Sequence, residues 1–115
     1  MLRDRIIELE ARVPALHSAI QRGNFNAAVS ICEDLVRDHP DQPEYAQELR
    51  RSLFNAALDD LRGYNLTAAE SYLIRLAQLE PSDQEVLRVL RFVQKYKTRP
   101  VDPRLRIFIQ SLQPR

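Results

Sequence analysis

At 115 residues the chain has room for a single core that buries roughly two-thirds of its unfolded surface, which argues against a second independent domain. Hydrophobic residues make up 44% and charged residues 29%, a globular balance that excludes intrinsic disorder, and two glycines in the whole chain argue against a strand-rich fold. Residues 88–115 carry eight Arg or Lys against one acid and residues 1–87 carry nine against fifteen, so a net charge of +1 conceals parts of about +7 and −6.

The first ten residues hold five charges and no apolar run suited to a signal peptide or a membrane span. Leu2, Ile6, Leu9, Val13, Leu16 and Ile20 keep a four-three spacing, the mark of an amphipathic helix or a self-association seam, and Pro14 predicts a kink or a break near Arg12. One bent helix and two short ones are both open. Packing on its own domain is the preferred use of this seam, and a homo-oligomer through it is the rival.

Ala28, Ile31, Cys32, Leu35 and Val36 then recur at helical spacing, behind a cap at Asn24 or Asn26 and ahead of Pro40. Cys32 on that apolar face reads as a small buried hydrophobe. With no second cysteine there is no internal disulfide, and a lone thiol predicts a reducing compartment, the cytoplasm by default. Asp41, Pro43 and Glu44 open a long helix to about Arg62, with Tyr45, Leu49, Leu53, Ala56, Ala57 and Leu61 on its buried side. Phe54 and Leu58 widen that stripe, so this helix needs partners on two sides.

Ala69, Tyr72, Leu73 and Leu76 repeat the second-helix pattern, capped by Asn65 or by Thr67 with Glu70. Ser82 and Glu85 form a capping box for a fifth helix through Val86, Val89, Leu90 and Val93 to about Tyr96. The chain breaks at Thr98–Val101. Asp102 and Pro103 start a last segment whose Leu105, Phe108, Ile109 and Leu112 have helical spacing; its Arg104–Ile107 alternation also suits a strand, but no strand partner exists, so a helix is expected.

Two stretches align: Gly23–Pro40 with Gly63–Pro81, Ala28 matching Ala69 and Pro40 matching Pro81 at a spacing of 41 residues. Gly23, Phe25, Ala28 and Pro40, and more weakly Gly63, Leu66, Ala69 and Pro81, resemble the tetratricopeptide repeat, over roughly residues 9–87. Gly63 stands one place early and Leu66 replaces an aromatic. The family's usual period is about 34 residues. The extra length is about two helical turns, enough to lengthen the first helix of each pair and keep its buried face in phase.

The resemblance implies an all-α, antiparallel helix-pair array with a right-handed superhelical course. Repeat one would cover about 9–42 and repeat two about 43–81, followed by a capping helix at about 82–97 and a short basic helix at about 102–112. It also implies a partner helix or peptide in a groove lined by the first helices of each pair. Carried over, that groove is Glu10, Val13, His17 and Ile20 with Arg51, Phe54, Leu58 and Leu61. These positions are largely apolar, and Val13, His17, Phe54 and Leu58 do not supply the Lys, Arg and Asn clamp with which some members hold a carboxylate tail, so chaperone-tail binding is disfavoured.

The basic stretch Arg88, Arg91, Lys95, Lys97, Arg99, Arg104 and Arg106 is the rival surface, suited to nucleic acid, anionic lipid or an acidic protein. A solvated face balancing the acidic body is its plainer reading. No metal is expected, because His17 and His39 have no third ligand at suitable spacing, and the adjacent acids Glu33–Asp34 and Asp59–Asp60 point about 100° apart on a helix. No nucleophile motif, phosphate loop or cofactor fingerprint is present, so the expectation is a non-enzymatic adaptor or scaffold without a cofactor.

Overall fold

The computed structural model describes residues 2–115, with side chains from residue 11 onward. It is all-helical: α1 (Leu2–Gln21), α2 (Phe25–Asp38), α3 (Pro43–Arg62), α4 (Leu66–Leu79), α5 (Gln84–Tyr96) and α6 (Pro103–Ser111). Two compact units divide the chain, 1–52 and 53–115, and the boundary falls within α3.

In the first unit α1 packs against α2. Pro14 lies inside α1 without ending it, so of the two readings left open, one helix or two short ones, the chain forms one. A proline deletes one backbone donor, and the neighbouring turns carry the helix through. Leu16, Ala19, Ala28, Val29, Cys32, Leu35 and Leu49 are buried. The Arg12 guanidinium donates to Asp38 Oδ2 at 2.6 Å, joining α1 to the end of α2. The seam residues Leu2, Ile6 and Leu9, and the groove position Glu10, have side chains outside the described residues.

α1 ends where Gly23 turns left-handed at φ +68, its N–H donating to Ile20 O while Asn24 N–H donates to Ala19 O. Asn24 then caps α2, its side chain accepting from Ala27 N–H. The link from α3 to α4 repeats these bonds, Tyr64 N–H to Leu61 O and Asn65 N–H to Asp60 O. Here the left-handed residue is Tyr64 at φ +58, the position 41 residues after Gly23, and Gly63 stands one place early. Asn65 occupies the cap position, so Thr67 lies within α4 and forms no capping box at its start.

In the second unit α4 packs against α5. The α5 cap is Asp83, accepting from Val86 N–H at 3.2 Å, not the expected Ser82. Segment 103–111 is a helix, not a strand, started by Asp102, which accepts from Arg104 N–H at 2.9 Å. Phe92 of α5 stacks on Phe108 of α6, with centroids 3.8 Å apart and planes 14° from parallel. Leu105, Ile109 and Leu112 are buried beside them.

Gly23→Ala costs about 1 kcal/mol because L side chains are disfavoured in the left-handed region, even though an added Cβ meets nothing within 4 Å. Tyr64→Gly relieves the same strain, so urea denaturation should lower the midpoint in the first variant and raise it in the second. Asp38 titrates at about 2, held down by Arg37 and then by Arg12. Its folded value is depressed, so its contribution to stability is present above the ordinary 3.8 and is lost as pH falls toward 2. Arg12→Ala should raise the Asp38 midpoint in a carboxyl-carbon NMR titration, and an unmoved midpoint would refute the contact.

Candidate functional site

The groove positions expected from sequence have different fates. Val13, His17 and Ile20 line a cavity with Leu16, Glu44, Tyr45 and Glu48 in the first unit. His17 is exposed, and Arg51 is an exposed residue paired with Glu48 at 3.4 Å. In the second unit Phe54, Leu58 and Leu61 are 2%, 2% and 1% exposed, so they belong to the core as the chain stands.

The Phe54 ring is covered by an arginine of the same chain. The Arg115 guanidinium carbon lies 4.2 Å from the ring centroid, well inside the range of a cation–π contact. Its two terminal nitrogens donate to separate carboxylates, one to Asp83 Oδ2 at 2.9 Å and the other to Glu85 Oε1 at 3.0 Å. Beside Phe54, the Asn55 side chain holds the backbone of the same residue from both sides: its Nδ2 donates to Arg115 O at 3.2 Å and its Oδ1 accepts from Arg115 N–H at 2.8 Å.

Each part of this site has a local cause. Asn55 follows Phe54 on α3 and is only 5% exposed, and an amide so buried needs partners, since an unsatisfied buried polar group costs about 1–3 kcal/mol. Asp83 serves twice, capping α5 through Oδ1 and holding Arg115 through Oδ2. The Arg115 bond keeps the Asp83 carboxyl below the ordinary carboxylate range against the upward push of burial, with Val86 N–H adding to the shift. The supporting segment is short. Leu112 is buried and extended at ψ 139, and Pro114 restricts both itself and Gln113, so little conformational freedom is lost in placing residue 115.

Asn55, Asp83, Glu85 and Arg115 are absent from the groove expected from sequence. A signal existed for Asn55, a lone polar residue in the apolar run Leu53–Leu58, and a buried polar residue is more informative than any exposed leucine. No local signal joins it to residue 115, 60 positions away.

The basic stretch is partly engaged within the second unit. Lys97 pairs with Glu70 at 3.0 Å and Arg104 with Asp102 at 2.9 Å. The Arg88 guanidinium lies over Phe108 and Lys95 over Tyr96. Arg91, Arg99 and Arg106 are exposed, and none has an ion pair among the described residues; Arg106 lines a cavity with Tyr64, Val101 and Pro103. Cys32 is fully buried and its thiol is pushed up to about 12, first by burial and then by Glu48, so it stays a thiol at neutral pH. Among the described residues no helix is long and apolar enough to cross a membrane.

Phe54→Ala removes a buried ring and should cost about 3–5 kcal/mol, read as a lower urea midpoint. A loss under about 1 kcal/mol would mean that the ring is not part of the core. Because that substitution perturbs folding itself, the site is better probed at Arg115. No family model, curated protein or solved structure matches this chain.

Proposed function

We propose that this chain is a non-catalytic interaction module of the tetratricopeptide type that binds an extended segment of another protein at the surface framed by Phe54, Asn55, Asp83 and Glu85. One observation carries the reading. A buried asparagine pairs with both the N–H and the C=O of a single residue outside any helix, which is how a side chain grips an extended peptide irrespective of its sequence. The turns at Gly23 and Tyr64, with the same two backbone bonds 41 residues apart, support the family reading.

The anionic-surface alternative has less in its favour, since Arg88, Lys95, Lys97 and Arg104 already lie against rings or carboxylates of the chain. Salt separates the two. Phosphate or lipid-headgroup binding weakens steeply with ionic strength, whereas a peptide held by backbone bonds and apolar contact loses far less.

The test uses the full chain carrying Arg115→Ala, which removes the ring and carboxylate contacts and leaves only the two Asn55 backbone bonds to hold residue 115, and a fluorescein-labelled, amidated peptide Gln-Ser-Leu-Gln-Pro-Arg that competes with them, followed by fluorescence polarisation. Saturable binding is expected, and it should be abolished when Asn55→Ala is added in a chain of unchanged helicity. A flat titration, or binding indifferent to Asn55, overturns the reading.

A further inference from the structure

We propose that this surface is an arginine-selective peptide site held closed by the chain's own residues 113–115, and that its ligand is an extended segment of a partner whose arginine displaces Arg115. The inference rests on the function proposed above and adds the chemistry of the ligand and the means of its regulation.

The arginine preference comes from the shape of the pocket. An aromatic face lies beneath the guanidinium carbon, and two carboxylates meet its two terminal nitrogens separately. A lysine ammonium is a compact point charge without the planar fork, so it cannot satisfy the ring and both acids in the same way. Citrulline keeps the plane and several donors but has no charge to set against Asp83 and Glu85. Asn55 supplies the grip on the backbone on either side of that arginine, so the ligand is an arginine within an extended chain rather than free guanidinium.

Self-closure follows from how the occupant is held. The Arg115 side chain is still 30% exposed, and its carboxylate partners Asp83 and Glu85 are 23% and 47% exposed, so these ion pairs are partly solvated and individually weak. Only Gln113 and Pro114 lie between Arg115 and the buried Leu112, so Arg115 can move off the site without unpacking α6. A tethered occupant competes at a high effective concentration, and an incoming segment therefore binds with an apparent affinity reduced by the closed fraction.

The experiment compares the intact chain with Arg115→Ala, using the amidated hexapeptide above and versions in which its arginine is lysine, citrulline or alanine. Arg115→Ala should bind the arginine peptide at least about tenfold more tightly than the other three. The intact chain should bind the arginine peptide at least about tenfold more weakly than Arg115→Ala does. Glu85→Gln, introduced beside Arg115→Ala, leaves the Asp83 cap in place and should narrow the preference for arginine over citrulline.

Four peptides bound equally by Arg115→Ala would overturn arginine selectivity while leaving the peptide-binding function standing. Equal binding by the intact chain and Arg115→Ala would overturn self-closure. No binding of any peptide would remove the underlying function and this inference together. If the intact chain instead forms a dimer that Arg115→Ala abolishes, the arginine of a second copy is the occupant, and the assignment to a different partner fails.

Discussion

A buried amide must find hydrogen bonds, and in the second unit that requirement falls on Asn55. Surrounded in sequence by Leu53, Phe54, Ala56, Ala57 and Leu58, it is only 5% exposed with residue 115 in place, so its amide is satisfied within the protein. The backbone of residue 115 supplies both a donor and an acceptor, and the rest of the site is arranged around that exchange. Once residue 115 is in position, its side chain lies across Phe54 and reaches the acids at the start of α5. Three elements distant in sequence are thereby tied at one point: α3, the start of α5, and the segment after α6.

The charge asymmetry of the chain takes on a local meaning. Several of the basic residues from 88 onward face acids and rings inside their own unit: Lys97 meets Glu70, Arg88 meets Phe108 and Arg115 meets Asp83 and Glu85. Each such contact is worth little alone, and their combined effect is to place α6 and residue 115 rather than to supply most of the stability. The burial of Leu105, Ile109 and Leu112 does the larger part of that work.

The helices were legible wherever apolar spacing was sustained, and their ends were legible only in part. Asn24 and Asp102 act as caps as their residue types predict. At α5 the neighbours Ser82 and Asp83 are both good caps, and the choice of Asp83 goes together with its second bond, to Arg115. At α4 a glycine lay ready at 63, yet the left-handed position fell on Tyr64, because helix register places the turn and residue preference only makes it cheap or costly. Pro14 shows the same limit from the other side, since it removes one bond from α1 and the helix continues.

By itself the sequence pointed to an all-helical chain of amphipathic segments and a buried cysteine, while the structure decided that the N-terminal segment is one helix and that 103–111 is helix rather than strand. The amphipathic segments and the buried face of Cys32 rest on near-neighbour spacing, which a linear pattern records directly. What only the tertiary structure decided is the fate of Phe54 and Asn55. A stripe of apolar residues announces that it must be covered, but it does not name the cover, and hydrogen-bond partners 60 residues apart leave no periodicity to read. Long-range pairing is settled by which groups remain unsatisfied after the helices have packed, and here that was an amide on α3 and the backbone of Arg115.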